Sequence, residues 1–134
     1  MLKRSLLLCS FIVVGCSTQS KTAFIANFEN TCAYPVEVSV REYSNGKAPF
    51  APGQRLMPGE SVEVLSHISF SESIEKSLPP GYRLDIAAHG ESILLDKEHL
   101  LAQLEHSSIE RKSRAISIWT IRDTALCPRR QAQG

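Results

Sequence analysis

The chain has 134 residues, of which 43% are hydrophobic and 22% charged, and its formal net charge at pH 7 is +1. This length suits one domain that buries about two thirds of its unfolded surface. A near-neutral chain lacks the clustered basic face that holds nucleic acid, so we expect no nucleic-acid partner.

The first fifteen residues have the three parts of a secretory signal. Lys3 and Arg4 precede an apolar run over residues 6–14, and the small Gly15 follows it. The run is shorter than the roughly 20 residues that a bilayer-spanning helix needs. We therefore predict a signal peptide over 1–15, and the alternative is a buried N-terminal strand with a core cysteine.

The residues that end this signal carry a specific motif. Val13-Val14-Gly15-Cys16 resembles the lipobox of bacterial lipoproteins. The resemblance implies cleavage before Cys16, a diacylglycerol on its sulfur and an acyl chain such as palmitate on its amine. Because Ser17 rather than Asp follows, it also implies an outer-membrane lipoprotein that faces the periplasm, with the inner membrane less expected. Two or more acyl chains anchor a protein stably, since each buried CH₂ contributes about 0.8 kcal/mol.

Cleavage before Cys16 changes the properties of the chain. It leaves 119 of the 134 residues, and the loss of Lys3 and Arg4 changes the net charge from +1 to −1. Residues 16–21 are then a lipidated cysteine and a tether. Because the five residues 17–21 reach at most about 17 Å, we expect the domain to sit against the membrane surface.

Two cysteines remain for the folded part, since Cys9 leaves with the signal and Cys16 carries lipid. We predict that Cys32 and Cys127 form a disulfide in an oxidising compartment. Two separate buried thiols are the alternative. A metal site is disfavoured because neither cysteine belongs to a CxxC or Cys/His cluster.

The first half of the domain has strand patterns. Residues 22–28 have a β-rich composition, and residues 35–42 alternate valines with polar side chains, the period of a half-buried strand. A loop rich in Asn, Gly and Pro covers residues 44–54. The Pro-Gly turn within 57–61 then leads into another alternating strand at 61–67.

The second half contains more strands and the best helix candidate. Two strands are predicted to meet at His89-Gly90, and residues 96–106 predict a helix capped by Asp96. Residues 114–123 are apolar on both faces and predict a central strand, whereas a short helix at 71–77 is one interpretation of an ambiguous stretch. The predicted helix has an apolar stripe of Leu100, Leu101 and Leu104.

These elements predict a mainly β fold. We expect a compact antiparallel β-sandwich, Ig-like or transthyretin-like, with one short surface helix. The domain would cover residues 22–128, and residues 129–134 would form a frayed tail.

A search for catalytic or ligand-binding motifs finds none: there is no nucleophile elbow, HExxH zinc motif, P-loop or dinucleotide fingerprint. His99 and His106 lie seven residues apart on the predicted helix and suggest either a metal site or a solvated face. The basic run 110–114 suggests either contact with anionic lipid or a cationic helix C-terminus. Cross-strand pairing explains the outward charges, which are Glu37, Arg41, Arg83 and Asp85. We expect no catalytic residues, no metal and no cofactor.

Three functions are consistent with this sequence. The first is a non-enzymatic interaction module, anchored in the membrane and bound to an envelope protein, such as a part of a secretion or cell-wall complex. The second is a periplasmic binding or inhibitor protein of the lysozyme-inhibitor kind, for which residues 44–54 are the candidate protruding loop. The third, an enzyme, is disfavoured because the sequence contains no catalytic constellation.

Overall fold

Two four-stranded sheets face each other in the computed structural model, which describes residues 21–70 and 73–129. The prediction of a mainly β sandwich is confirmed. The strands are β1 (Thr22–Glu29), β2 (Val36–Arg41), β3 (Gln54–Leu56), β4 (Ser61–Ser69), β5 (Arg83–Ala88), β6 (Glu91–Asp96), β7 (Ser108–Ser113) and β8 (Ile116–Ile121). The helices are α1 (Ile74–Ser77) and α2 (Lys97–Glu105), and a 3₁₀ turn covers Thr124–Leu126.

Strand order separates the chain into a first sheet, β4-β1-β8-β7, and a second sheet, β3-β2-β5-β6. Every pairing is antiparallel except that of β1 with β8, which run in parallel. The sandwich is thus antiparallel as predicted, apart from this one parallel pair. The reason is topological, because β8 enters the first sheet between β1 and β7 after the chain has built the second sheet and α2.

The core lies between the sheets and is supplied by alternating residues. In β1, Thr22, Phe24, Ala26 and Phe28 are buried, and the residues between them are half-buried. This is the period of two that a strand with one face on the core requires. The other main contributors are Val36, Val38, Val64, Leu65, Tyr82, Leu84, Ile86, Leu100, Leu104 and Ile121.

Turns form where the sequence predicts them. His89 and Gly90 both have positive φ, at 56° and 78°, and they connect β5 to β6 as an Asn-Gly-like hairpin turn would. Gly59 has a φ of 85°, and Glu60 N donates to Met57 O across the Pro-Gly turn at 3.0 Å. Each turn places a residue in the left-handed region where the chain reverses direction.

Helix α2 confirms the helix predicted over 96–106. The side chain of Asp96 accepts a hydrogen bond from His99 N at 2.9 Å, and Leu100 and Leu104 are buried. The carboxylate therefore satisfies an amide that has no partner within the helix. Helix α1 is a single turn inside the ambiguous stretch.

Two strands were missed by the sequence prediction. Of the two interpretations of the basic run 110–114, the cationic helix C-terminus is wrong, because α2 ends at Glu105 and residues 108–113 form β7. All six side chains of β7 are exposed, so the sequence has no apolar alternation that would indicate a strand. Strand β3 is three residues long and buries only Leu56, at the end of the predicted loop.

Candidate interaction surface

The outward face of the first sheet carries aligned apolar side chains. They lie between the buried residues of β1 and on the matching face of β4 and β8. None of them is buried, and Ile68 is 53% exposed. We call this surface the isoleucine patch, which consists of Ala23, Ile25, Ile68, Ile116 and Ile118.

Strand register brings the patch together. Ala23 pairs with Ile68 on one side and with Ile116 on the other, so three apolar residues form a row across the sheet. Ile25 pairs with Ile118 in the next row. In the third row, Asn27 pairs with Thr120, and the surface becomes polar. Clustered apolar groups with a polar border are typical of protein-contact sites.

The outward face of the second sheet is mostly charged. Glu37 lies opposite Arg55, as cross-strand pairing predicts, but Arg41 lies opposite Arg83, which places two cations together. Asp85 lies opposite Ser39 and Leu94, and its Oδ1 is buried without a hydrogen-bond partner among the described residues. Glu37 and Arg55 are therefore opposed in register, although no ion pair joins them among the described residues, and the prediction of opposite-charge pairing is wrong for Arg41 and Arg83.

One edge of the first sheet is covered by the loop that follows β2. Ser66 N donates to Tyr43 O at 3.0 Å. The side chain of Asn45 donates to Ile68 O at 2.6 Å and accepts from Ile68 N at 3.0 Å. The first residues of the 44–54 loop thus lie along β4 and pair with its backbone. This arrangement occupies an edge that would otherwise be available to another strand.

An ionic cluster holds the same loop. Tyr43 OH donates to Glu63 Oε1 at 2.5 Å, and Lys47 Nζ lies 2.7 Å from the same oxygen. Burial opposes ionisation of Glu63, but the hydrogen bonds from Lys47 and Tyr43 outweigh it and lower the pKa of this carboxyl. Burial, followed by the hydrogen bond to Glu63, raises the pKa of Tyr43. The carboxylate therefore stays ionised and ties the loop to β4.

The opposite edge of the first sheet is formed by β7. It pairs with β8 on one side, and no described strand pairs with its other side. Its exposed side chains include Glu110, Arg111 and Lys112. Charges of this kind are a common protection of an open strand edge against unwanted pairing.

The predicted cysteine pair is bonded in the structure. Cys32 and Cys127 form a disulfide with Cα atoms 5.7 Å apart, and 95 positions separate them in the chain. The bond joins the segment after β1 to the segment after β8. Beside it, Tyr34 OH donates to the carbonyl oxygen of Pro128.

The other sequence candidates have local roles or lie outside the described residues. Cys16 is among the latter, so its lipidation stays a prediction. His99 Nδ1 lies 2.6 Å from Asp96 Oδ1, and this hydrogen bond raises the pKa of His99. Within residues 21–70 and 73–129, no three His, Cys, Asp or Glu side chains are grouped closely enough to hold a metal ion. The helices in these ranges are too short or too polar to cross a bilayer.

Two concave features of the described residues are open surface depressions. One of about 460 Å³ is lined by Glu37, Arg55, His89 and Glu91. Another of about 630 Å³ lies between α1 and α2 and includes Lys76, Glu98 and Leu101. No ion pair joins the carboxylates to the cations of either depression in the described part of the chain.

Comparison of the chain with family models, curated proteins and solved structures gives no match. The functional argument therefore depends on the residues themselves. The isoleucine patch was not identified from sequence, although the apolar residues on both faces of 114–123 were a signal of it. That pattern predicted a strand with both faces covered. In the described residues only the inner face of β8 is covered by the core.

Proposed function

We propose that this protein is a periplasm-facing outer-membrane lipoprotein, anchored through Cys16, that acts as a non-enzymatic interaction module in the cell envelope. Its partner is an envelope protein that lies close to the membrane and binds the isoleucine patch. The observation that carries this proposal is the alignment of four exposed or half-buried isoleucines and Ala23 across three strands.

The sequence of β8 supports a partner on this face. Ile121 is buried and Trp119 packs against the core, while Ile116 and Ile118 point to the other side. Strands that are apolar on both faces are typical of sheets covered on both sides. A partner on the patch would supply the second cover, and its apolar burial would provide the favourable term in binding.

The tether supports the location of that partner. Lys21 directly precedes β1, and the predicted lipid attachment at Cys16 is five positions earlier. An extended chain of that length reaches about 17 Å, so the anchored domain stays beside the bilayer. Confinement in two dimensions raises the effective concentration of a membrane-proximal partner, so a patch of modest area suffices.

The inhibitor hypothesis has less support. It requires a loop that protrudes into an enzyme cleft, and the candidate was residues 44–54. Asn45 and Lys47 of this loop are instead engaged with Ile68 and Glu63 of β4. The beginning of the loop is thus committed to the protein's own sheet edge.

Site-specific crosslinking in native membranes tests the proposal. A photoreactive amino acid at position 118 is compared with one at position 94, because Leu94 is a 46% exposed apolar residue on the outward face of the second sheet. We expect position 118 to capture an envelope protein and position 94 not to capture it. A crosslinked product with twice the mass of the chain would instead identify a second copy as the occupant and contradict the proposal.

Two substitutions provide a matched pair for the same assay. Ile118→Lys places a charge in the patch, and Thr120→Lys places one on the same strand and face in the polar row. We expect the first to abolish capture by a crosslinker at Ile25 and the second to preserve it. Cys16→Ser tests the anchor, since loss of the acylated mass and of membrane fractionation is expected. Normal acylation of that variant would contradict the lipoprotein assignment.

A further inference from the structure

We propose that the end of the sandwich at which β1 begins binds anionic phospholipid headgroups of the bilayer that holds the acyl chains of Cys16. This inference rests on the proposed anchoring and adds a second, non-covalent membrane contact that orients the domain. We call this surface the tether end, and it consists of Lys21, Phe70, Lys112 and Arg114.

The beginning of β1 and the end of β4 meet at this surface. Thr22 pairs with Ser69, so Lys21 and Phe70 are the next residues beyond the paired strands. The Lys21 Nζ lies 5.9 Å from the centre of the Phe70 ring, within the range of a cation–π contact. Phe70 is 62% exposed, more than any other large hydrophobic side chain among the described residues.

The end of β7 and the turn that follows it add two more cations. Ala23 N donates to Ala115 O at 2.6 Å, which fixes this turn beside the beginning of β1. Lys112 and Arg114 are both exposed. A register shift between Arg111 and Ser113 leaves Lys112 outside the regular pairing with β8. One aromatic ring and three cationic groups are therefore gathered at one end of the first sheet.

This combination fits the interfacial region of a bilayer. An aromatic or other apolar side chain inserts at the boundary of headgroups and acyl chains, while lysine and arginine interact with the phosphates. The long stems of Lys and Arg let their charges remain at the polar level. Phe70 and the three cations thus match the chemistry of an anionic lipid surface.

Chain continuity selects the bilayer over other occupants. Only residues 17–20 separate the predicted lipidation site from Lys21, which lies in the tether end. The surface closest to the anchor is therefore this end, and anchoring holds it next to headgroups at high local concentration. If the domain docks by this end, the strands of the first sheet run away from the bilayer surface. The isoleucine patch then faces parallel to the membrane plane, where a protein in the same membrane can reach it.

The experiment uses the purified mature lipoprotein in vesicles of phosphatidylethanolamine and phosphatidylglycerol. Phe70→Trp is compared with Met57→Trp, and both retain Trp119 as a common background. Met57 is 45% exposed at the opposite end of β1, where Gly59 N donates to Asn30 O. The eight residues of β1 separate the two positions by about 26 Å. Brominated phospholipid, which quenches tryptophan by contact, reports insertion.

We expect brominated lipid to quench the Phe70→Trp protein at least threefold more strongly than the Met57→Trp protein. Reversal of charge by Lys21→Glu or Arg114→Glu should lower the ratio of docked to undocked protein about fivefold for each cation. Arg55→Glu on β3 is the control and should leave the ratio unchanged. Added salt should weaken docking, because exposed charges are screened.

The other outcomes overturn the inference in distinguishable ways. Acylated, vesicle-bound protein with equal quenching at positions 70 and 57 would refute lipid docking and leave the proposed anchor intact. Protein whose mass shows no acyl chains would refute the anchor, and with it the premise of this inference. If position 70 were shielded from solvent in native membranes but not in vesicles of pure lipid, the tether end would bind a protein instead of lipid. A tryptophan blue shift that depends on protein concentration without vesicles would assign it to a second copy.

Discussion

The side chain of Asn45 exchanges two hydrogen bonds with the backbone of Ile68, donating to its carbonyl oxygen at 2.6 Å and accepting from its amide at 3.0 Å. The side-chain amide of Asn45 therefore forms the hydrogen bonds that a neighbouring strand would form at the edge of β4. Ile68 also belongs to the isoleucine patch, so the loop after β2 and the proposed interaction face are physically connected.

Asn45→Ala should expose this edge. The side chain is at the surface and water replaces part of the lost bonding, so we expect a loss of about 0.5 to 1.5 kcal/mol in the free energy of unfolding. Hydrogen exchange of the Ile68 amide should accelerate, while that of Ala26, in the middle of the sheet, should change little. Equal acceleration at the backbone N–H groups of Ile68 and Ala26 would show that Asn45 does not protect the edge specifically.

Glu63 should make stability depend on pH in the acidic range. Its pKa is lowered in the folded state from an ordinary value of 4.5, because the hydrogen bonds from Lys47 and Tyr43 outweigh the effect of burial. A lowered folded pKa contributes stability above the unfolded pKa, and this stability is lost as the pH falls through the folded pKa. Glu63→Gln should therefore flatten the acid side of the stability profile, measured by urea unfolding. An unchanged acid slope would contradict this role, and Glu75→Gln on exposed α1 is the matched control.

The disulfide should stabilise the fold strongly. It closes a loop of 95 positions, and the chain-entropy model gives a contribution of about 4 to 5 kcal/mol for a loop of that size. Cys32→Ala, Cys127→Ala and the double variant should all unfold at the same, much lower denaturant concentration. If the double variant unfolded at the wild-type midpoint, the bond would contribute nothing to folding.

Asn30 should be the most sensitive polar residue of the sandwich. It is 1% exposed, its Nδ2 donates to Tyr34 O and Leu56 O at 3.0 Å, and its Oδ1 accepts from Cys32 N at 2.9 Å. Asn30→Ala would leave these backbone groups buried and unpaired, so we expect a loss of about 2 to 4 kcal/mol. Asn30→Asp should cost more, because it removes the donors and buries a charge. A loss below about 1 kcal/mol for both variants, measured by chemical unfolding, would contradict this assignment.

Sequence reasoning identified elements whose patterns are local. The valines of β2, the Asp96 cap of α2 and the His89-Gly90 turn each carry their signal within a few residues, and each was predicted correctly. Strand β7 was missed because its conformation depends on pairing with β8, whereas its own residues are those of a solvated segment. The parallel pairing of β1 with β8 was missed for the same reason, since residues almost a hundred positions apart determine it.

The candidate surfaces also differ in whether their signal is local in the sequence or depends on the tertiary structure. The motif that resembles a lipobox is contiguous, so the resemblance is visible in the sequence; Cys16 lies outside the described residues, and its lipidation stays a prediction. The isoleucine patch requires the register of three strands, and Ile68 lies beyond the strand that the sequence predicted over 61–67. The tether end requires a turn, a strand end and the beginning of β1 to meet, and only tertiary structure brings Phe70 beside Lys21.

The parallel pairing of β1 with β8 also constrains when the chain can fold. β1 is made early but occupies an inner position of its sheet, and one of its two neighbours is completed only at residue 121. Contacts of such long sequence separation form slowly, because the chain must close a large loop first. Until that point the emerging chain keeps an inner strand open and its core incomplete. For the exported lipoprotein that we propose, this order means that the first sheet cannot be completed until the C-terminal strands have crossed the membrane.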